Sequence, residues 1–228
     1  MDTGTFGARI YRFYRRLRPP HTPRDVSVMN PYGDPRVAVN VRAFLGTYFN
    51  DNRPRVLVFG INPGRFGAGI TGITFTDPVA LAQFCGIPNT LGTRRELSSV
   101  FIYDFIARYG EVRRCYQAFF LTAASPLGFL RRSLNLNYYD MPQLARAVTP
   151  FIVRSIEQHI AAGGRRDRAI IIGKGANLTF LRDLNEQYGF FARLDALEHP
   201  RAIMQYRRKR LDDYLDRYAQ VFRAAEAG

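Results

Sequence analysis

Short, uninterrupted apolar runs constrain the fold of this chain more than any other feature. Three of them cover residues 55–60, 118–121 and 169–172, and a weaker candidate covers residues 191–197. Each has the length of a strand but lacks the alternation that is typical of a strand with one face in solvent. Strands that are buried on both faces belong to parallel sheets covered by helices.

Segments with helical spacing of apolar residues lie between these runs, at 78–85, 94–109, 141–161, 177–187 and 203–224. Because strands and helices alternate, we predict an α/β fold of three layers, in which a central, mostly parallel four-stranded sheet is flanked by helices. Ligands bind such sheets in the crevice at the carboxyl ends of the strands. We therefore expect the functional residues directly after residues 60, 121, 172 and 197.

The beginning of the chain is expected to lie at the periphery of a single domain that spans residues 1–228. Apolar residues recur there at helical spacing: Phe6, Ile10, Phe13 and Leu17. This spacing predicts an amphipathic helix that docks on the domain. A Pro-rich stretch follows up to Pro35, where a second helix is expected to begin with Asp34 as its N-cap.

Charge and cysteine content restrict the partners and cofactors. The chain has 33 basic and 19 acidic residues and a net charge of +14, which favours a polyanion such as nucleic acid as its partner. Cys85 and Cys115, with only three His to help, are too few for a disulfide framework, a four-ligand zinc site or an iron–sulfur cluster, so we expect no metal and no other cofactor. No apolar run approaches the ~18 residues that span a bilayer. We expect a cytoplasmic monomer with reduced thiols.

A glycine-rich segment follows the first predicted strand, from Gly60 to Pro78. Pro63 and Gly64 suit the central positions of a type II turn, and the amide of Asn62 before them would then be directed into the crevice. The small residues that follow let the backbone approach a ligand closely. The segment fits neither the P-loop nor the dinucleotide-binding pattern. From the residues alone, a phosphate-binding loop and a purely structural loop both remain open.

Three motifs resemble those of one enzyme family. The order and spacing of Asn62-Pro63-Gly64, Phe66-Gly67, Thr71-Gly72 and Phe75 are similar to the first motif of the single-strand-selective monofunctional uracil-DNA glycosylases. Residues 170–175 resemble that family's later strand-to-helix turn. Residues 198–201, Glu-His-Pro-Arg, resemble a shortened form of its second motif. The resemblance spans about residues 40–215, is closest to the bacterial second subtype, and implies the uracil-DNA glycosylase fold.

The resemblance also implies an activity. A member of this family flips a deaminated base out of DNA and hydrolyses its N-glycosidic bond, and here uracil is the first candidate base and xanthine the second. Asn62 would orient the attacking water, and His199 would donate a hydrogen bond to the departing base. The nearby Asp77 is a rival carboxylate, but Asp77-Pro78 is typical of an N-cap and first helical position.

The remaining candidate residues would contact the base or the DNA backbone if the resemblance holds. Phe75 would stack on the face of the base. The other candidates for the base pocket are Gly60, Ile61, Ala123 and Ser125. The candidates for phosphate contacts are Gly64, Arg65, Lys174, Gly175 and Arg201. The basic run at residues 207–210 is interpreted as a solvated helix face, unless that face adjoins the crevice.

The sequence departs from the family pattern in two places. Ala123 stands where an asparagine normally reads the edge of uracil, so a roomier and less selective pocket is expected. The second motif is two residues short, which leaves Ile203, Met204 and Gln205 as positional candidates for the element that fills the gap of a flipped base. Two other function classes remain open: a noncatalytic nucleic-acid-binding protein that kept the fold, and a nucleotide-binding enzyme that acts on small molecules.

Overall fold

The computed structural model describes residues 4–227, so the predicted domain limits at residues 1 and 228 lie outside the described residues. The strands are β1 (Val26–Met29), β2 (Arg55–Gly60), β3 (Phe119–Ala123), β4 (Gly128–Arg131), β5 (Leu134–Leu136), β6 (Gly164–Ile172) and β7 (Arg193–Leu197). The helices are α1 (Phe6–Arg15), α2 (Pro35–Tyr48), α3 (Ala68–Thr71), α4 (Pro78–Gln83), α5 (Leu97–Tyr109), α6 (Val112–Ala118), α7 (Pro142–Ala161), α8 (Ala176–Tyr188), α9 (Pro200–Tyr206) and α10 (Leu211–Ala227). Short 3₁₀ turns cover Pro31–Gly33 and Arg208–Arg210.

Four parallel strands form the central sheet in the order β3-β2-β6-β7. Every residue of β2 and β3 is buried, as the uninterrupted apolar runs predict. Helices flank this sheet, which confirms the predicted three-layer α/β fold. Gly60 and Ala123 are register partners at the ends of neighbouring strands. The loops that follow the four strands therefore meet at one edge of the sheet.

A second, antiparallel sheet of order β1-β4-β5 was not predicted. Its strands are three or four residues long, too short for a period-2 pattern to stand out, and β1 lies inside the Pro-rich stretch. β6 also begins five residues before the predicted strand, because its polar first half still pairs with its neighbours in the sheet: Arg168 is the register partner of Arg193. The antiparallel sheet β1-β4-β5 lies beside the glycine-rich segment and forms a hydrogen bond with the side chain of Asn62.

The helix predicted at residues 203–224 is two helices, so that prediction is wrong. α9 ends at Tyr206, and Arg207 has a non-helical φ of −133°. α10 begins with Asp212 and Asp213 in its first turn, where acidic side chains are favoured by the helix dipole. The basic run at residues 207–210 consequently lies in the exposed turn between the helices and not on a helix face.

The helix expected at the periphery contributes to the core. Phe6 and Ile10 of α1 are completely buried. The hydroxyl of Tyr14 lies 3.2 Å from Oγ1 of Thr122 on β3 and 3.1 Å from Nε2 of His159 on α7. Buried polar atoms are stable when they satisfy one another in this way. These contacts anchor α1 to β3 and α7.

In the described part of the chain, no helix is long and apolar enough to cross a membrane. Cys85 and Cys115 are both buried, and neither forms a disulfide.

Candidate active site

A cavity of about 620 Å³ opens at the carboxyl edge of the central sheet. Its size is in the usual range for a small-molecule site. Eight of the twelve candidate catalytic, base-binding and phosphate-binding residues line it: Gly60, Ile61, Asn62, Gly64, Phe75, Ala123, His199 and Arg201. They come from the ends of three different strands, because the parallel sheet brings those ends together.

The ring of Phe75 packs directly against the backbone of Gly60. A Cβ atom at Gly60 would lie 3.1 Å from Cε2 of Phe75 and 2.8 Å from Cζ, and the second distance is closer than such atoms approach. Phe75 also has a φ of +56°, in the left-handed region that is unfavourable for a residue with a side chain. The absence of a side chain at Gly60 and a strained turn at Phe75 together place the aromatic face in the cavity.

Thr71 fixes the turn that carries Phe75. Its buried hydroxyl donates to the carbonyl of Thr76 at 2.6 Å and accepts from the amide of Ile73 at 3.1 Å. The next residue, Gly72, has a φ of +70°, and a Cβ there would collide with the side chain of Val41. The Thr71-Gly72 pair of the first motif therefore positions the aromatic ring and does not itself line the cavity.

His199 presents a neutral imidazole to the cavity. It is the N-cap of α9, and its Nδ1 accepts a hydrogen bond from the amide of Arg201 at 3.2 Å. The proton of the neutral ring must then reside on Nε2. Burial, and after it the positive charge of Arg201, lowers the pKa of His199 to about 4. The ring centroid lies 6.0 Å from that of Phe75, so a donor and an aromatic face border the same space.

Asn62 is held by the small antiparallel sheet. Its Nδ2 donates to the carbonyl of Leu136 on β5 at 3.2 Å, and its Oδ1 accepts from the amide of Tyr138 at 3.1 Å. An amide oxygen has two lone pairs, so Oδ1 can accept one more hydrogen bond. The side chain is thus fixed in orientation and still able to bind a water molecule.

The predicted type II turn at Pro63 and Gly64 does not form. Gly64 is not among the glycines with positive φ, which the third position of such a turn requires. Its carbonyl instead accepts from the amides of Gly67 at 3.3 Å and Gly69 at 2.9 Å. The chain turns around this carbonyl and enters α3. These two hydrogen bonds outweigh the preference of a Pro-Gly pair for a type II turn.

Glu96 is a cavity residue that the sequence analysis missed. Its carboxylate packs so closely on Gly67 that a Cβ there would overlap it. Burial raises the pKa of Glu96. Its amide donates to Asp77 at 2.8 Å, while the other oxygen of Asp77 accepts from Ala80 at 2.8 Å and caps α4. The predicted capping role of Asp77 is confirmed, and the same side chain brings Glu96 to the site.

Four predicted site residues do not line the cavity. The hydroxyl of Ser125 donates to the carbonyl of Leu127 at 2.7 Å, so the expectation that it reaches a base is corrected. Nη1 of Arg65 donates to the carbonyl of Ser133 at 2.6 Å. The remaining two lie at the start of α8: Lys174, whose Nζ is 3.0 Å from Glu198, and Gly175, which precedes the first turn.

Arginine side chains nevertheless surround the mouth of the cavity. The guanidinium carbons of Arg94 and Arg65 lie 3.5 Å and 4.5 Å from the ring centroid of Phe66, within cation–π distance. Arg94 and Arg201 line the cavity and are exposed. A phosphate backbone that crosses this mouth would meet fixed positive charge. Within residues 4–227, no group of three or more His, Cys, Asp or Glu side chains could hold a metal ion.

Comparisons with known proteins agree with this geometry. The family model of the uracil DNA glycosylase superfamily matches residues 47–223. The chain belongs to that superfamily. The crystal structure of wild-type SMUG2 from Pedobacter heparinus is similar with a TM-score of 0.95 and 39% sequence identity, covering 98% of this chain and 99% of that chain. A search of curated proteins found no match.

The packing of Phe75 on Gly60 predicts the effect of adding one methyl group. Gly60→Ala displaces the ring from the cavity, and misplacing a group by about 1 Å lowers an enzymatic rate by roughly 100-fold. We expect a loss of that order in the single-turnover rate of base excision. Gly46→Ala is the matched control, because nothing lies within 4 Å of a Cβ at Gly46 on α2. Equal rates for the wild type and Gly60→Ala would show that Phe75 does not stack on the base.

The lowered pKa of His199 predicts the pH dependence. Because the neutral ring persists down to a pH of about 4, the excision rate should not change as the pH falls through 6.5, the ordinary pKa of histidine, and should decline only near 4. A rate that rises below 6.5 would mean that the imidazolium is the active form. Circular dichroism at each pH is the control, because the pKa of buried His159 is also lowered to about 4 by desolvation. The contribution of neutral His159 to the stability of the fold is fully present above pH 6.5 and is lost as the pH falls towards 4.

Proposed function

We propose that the protein is a monofunctional DNA glycosylase that flips deaminated bases out of DNA and excises them by hydrolysis. One observation carries the proposal. An aromatic face, a neutral hydrogen-bond donor and a fixed amide border one cavity that has room for a base: Phe75, His199 and Asn62. Membership of the uracil DNA glycosylase superfamily supports a DNA substrate and this class of reaction. Uracil is the first expected base and xanthine the second.

The departing base is the group that the site must stabilise. When the N-glycosidic bond breaks, negative charge develops on the base and positive charge on the sugar. Nε2–H of His199 would donate to a base carbonyl, where one well-placed donor contributes ~3 kcal/mol. The neutral imidazole donates through Nε2–H, and this hydrogen bond strengthens as negative charge develops on the base. The ring of Phe75 would hold the base in the plane of that donor.

Asn62 would orient the water molecule that attacks the sugar. An amide is no strong base, but an oxocarbenium-like sugar needs little activation of its nucleophile. Oδ1 has one acceptor position beyond its bond to Tyr138 and would orient the water with it. Glu96 is the second candidate for this role, because it is the acidic residue among those that line the cavity.

Paired variants distinguish the two candidates. Asn62→Ala should lower the single-turnover rate by roughly 100-fold or more while leaving DNA affinity nearly unchanged. It should also destabilise the fold by about 1 to 3 kcal/mol, because the partners of Asn62 on Leu136 and Tyr138 are left unsatisfied. Glu96→Gln keeps the size of the side chain and should leave the rate within a few-fold. A larger loss for Glu96→Gln than for Asn62→Ala would assign the water to the carboxylate.

The direct test of the function is excision itself. Matched oligonucleotides with a single uracil, xanthine or hypoxanthine, in single- and double-stranded form, are incubated with the protein, and abasic sites are measured by alkaline cleavage. We expect abasic sites at uracil and no strand cleavage before alkali. Binding of every oligonucleotide without abasic sites would support the noncatalytic nucleic-acid-binding protein instead. Tight binding of nucleotides without binding of DNA would support the small-molecule enzyme. Cytoplasmic location and a monomeric state stay predictions from the sequence.

Ala123 predicts a broad range of bases. Its buried methyl group lines the cavity beside Gly60 at the end of β3, where it can neither donate to nor accept from a base edge. A hydrogen-bonding contact discriminates between bases by about 1 to 3 kcal/mol. The wild type should therefore excise xanthine beside uracil, and Ala123→Asn should shift the ratio of their single-turnover rates towards uracil. An unchanged ratio would show that residue 123 does not contact the base.

A further inference from the structure

The active-site cavity continues into a second, shallower groove. This groove has a volume of about 530 Å³ and is formed by residues 205–210 together with Tyr214. Gln205 and Tyr206 line both spaces. The groove, which we call the basic groove, therefore adjoins the crevice, and the basic run at residues 207–210 lies beside the cavity.

Tyr206 stands at the junction with its side chain in solvent. It is 81% exposed, the highest value among the exposed large hydrophobic side chains of residues 4–227. Of the three candidates for the element that fills the gap of a flipped base, Ile203 and Met204 are buried, whereas Gln205 is exposed and lines the cavity. An exposed aromatic ring next to basic side chains is the usual arrangement for stacking on unpaired bases.

Among residues 4–227, two basic side chains of the groove have no partner. Arg207 donates to the hydroxyl of Tyr214 at 2.8 Å, and Nε of Arg210 lies 2.9 Å from Asp213. The side chains of Arg208 and Lys209 are exposed and make no ion pair or hydrogen bond within the part of the chain described. These two charges are available for an anionic ligand such as a phosphate.

The distance along α9 fits a nucleic-acid strand. His199 caps the helix and Tyr206 ends it, so the two are seven residues apart, or about 10 Å at the helical rise. Bases in a stacked strand follow one another every 3.4 Å or so. A strand whose excised base lies beside His199 would thus bring a base about three nucleotides away to Tyr206.

We propose that Tyr206 and the basic groove bind the single-stranded DNA that flanks the excised base. Tyr206 stacks on an unpaired base about three nucleotides from the flipped one, and Arg208 and Lys209 bind the phosphates of that stretch. This inference deepens the proposed function and rests on it for the identity of the strand. It predicts that contacts outside the base pocket contribute to affinity for single strands.

Fluorescence of 2-aminopurine tests the stacking. The probe base is placed three nucleotides from an uncleavable uracil nucleotide, on the 5′ side in one single-stranded oligonucleotide and on the 3′ side in another. We expect the wild type to quench one of the two probes, Tyr206→Phe to quench it equally, and Tyr206→Ala to lose the quenching. Tyr206→Ala should also weaken binding about 10-fold, the typical effect of removing one stacked base. Tyr188→Ala is the matched control, because Tyr188 is 44% exposed and lines neither space.

Salt dependence tests the phosphate contacts. The double variant Arg208→Ala with Lys209→Ala should reduce the slope of log Kd against log salt concentration by about 1.4, since each phosphate contact on a single strand contributes ~0.7. The control pair, Arg154→Ala with Arg182→Ala, removes the same charge from exposed positions on α7 and α8. An equal fall in slope for both pairs would show that only total charge matters and would overturn the phosphate contacts.

The outcomes separate this inference from the proposed function. If the wild type excises uracil and Tyr206→Ala matches it in quenching and affinity, the groove does not bind the strand and the inference is overturned, while the function stands. If the wild type excises nothing but quenches the probe through Tyr206, the groove is supported and the glycosylase proposal fails. Circular dichroism confirms that each variant is folded.

Discussion

The contact between the Phe75 ring and the backbone of Gly60 is the interaction on which the site depends. A buried strand must end in a residue without a side chain for the ring to lie there, and the ring in turn holds a backbone conformation that is unfavourable for phenylalanine. The hydrogen bonds of Thr71 and the packing of Gly72 stabilise this conformation from behind. Most of the first motif thus serves to place one aromatic face, and the chemistry is built around that face.

Electrostatics complete the arrangement. The protein as a whole carries a charge of +14, which draws a polyanion to the surface, yet the donor inside the cavity is neutral. The backbone amide of Arg201 fixes the tautomer of His199, and burial keeps the ring uncharged. His199 lies between β7 and α9, and α9 ends at Tyr206 beside the basic groove. One short segment of chain therefore carries both the donor proposed for the base and the surface proposed for the flanking strand.

The sequence predicts the central sheet because strands that are buried on both faces have uninterrupted apolar runs. It also predicts that Asn62 and His199 lie close together, because the parallel strands that precede them end at the same edge of the sheet. What it misses depends on contacts between distant segments. Glu96 belongs to no motif, and its amide is held beside the cavity by a hydrogen bond to Asp77. Ser125 follows a strand as expected, but a bond to its near neighbour Leu127 turns it away. The break at Arg207 is hidden because apolar spacing continues across it.

A structure with bound DNA tests the central claim most directly. A single-stranded oligonucleotide with uracil on a sugar that carries fluorine at C2′ resists cleavage, because the fluorine disfavours positive charge on the sugar. In its complex with the wild type we predict the uracil ring stacked on Phe75, with a carbonyl oxygen about 3 Å from Nε2 of His199. A uracil that lies outside the cavity, or one whose carbonyl oxygens are out of reach of His199, would contradict the account.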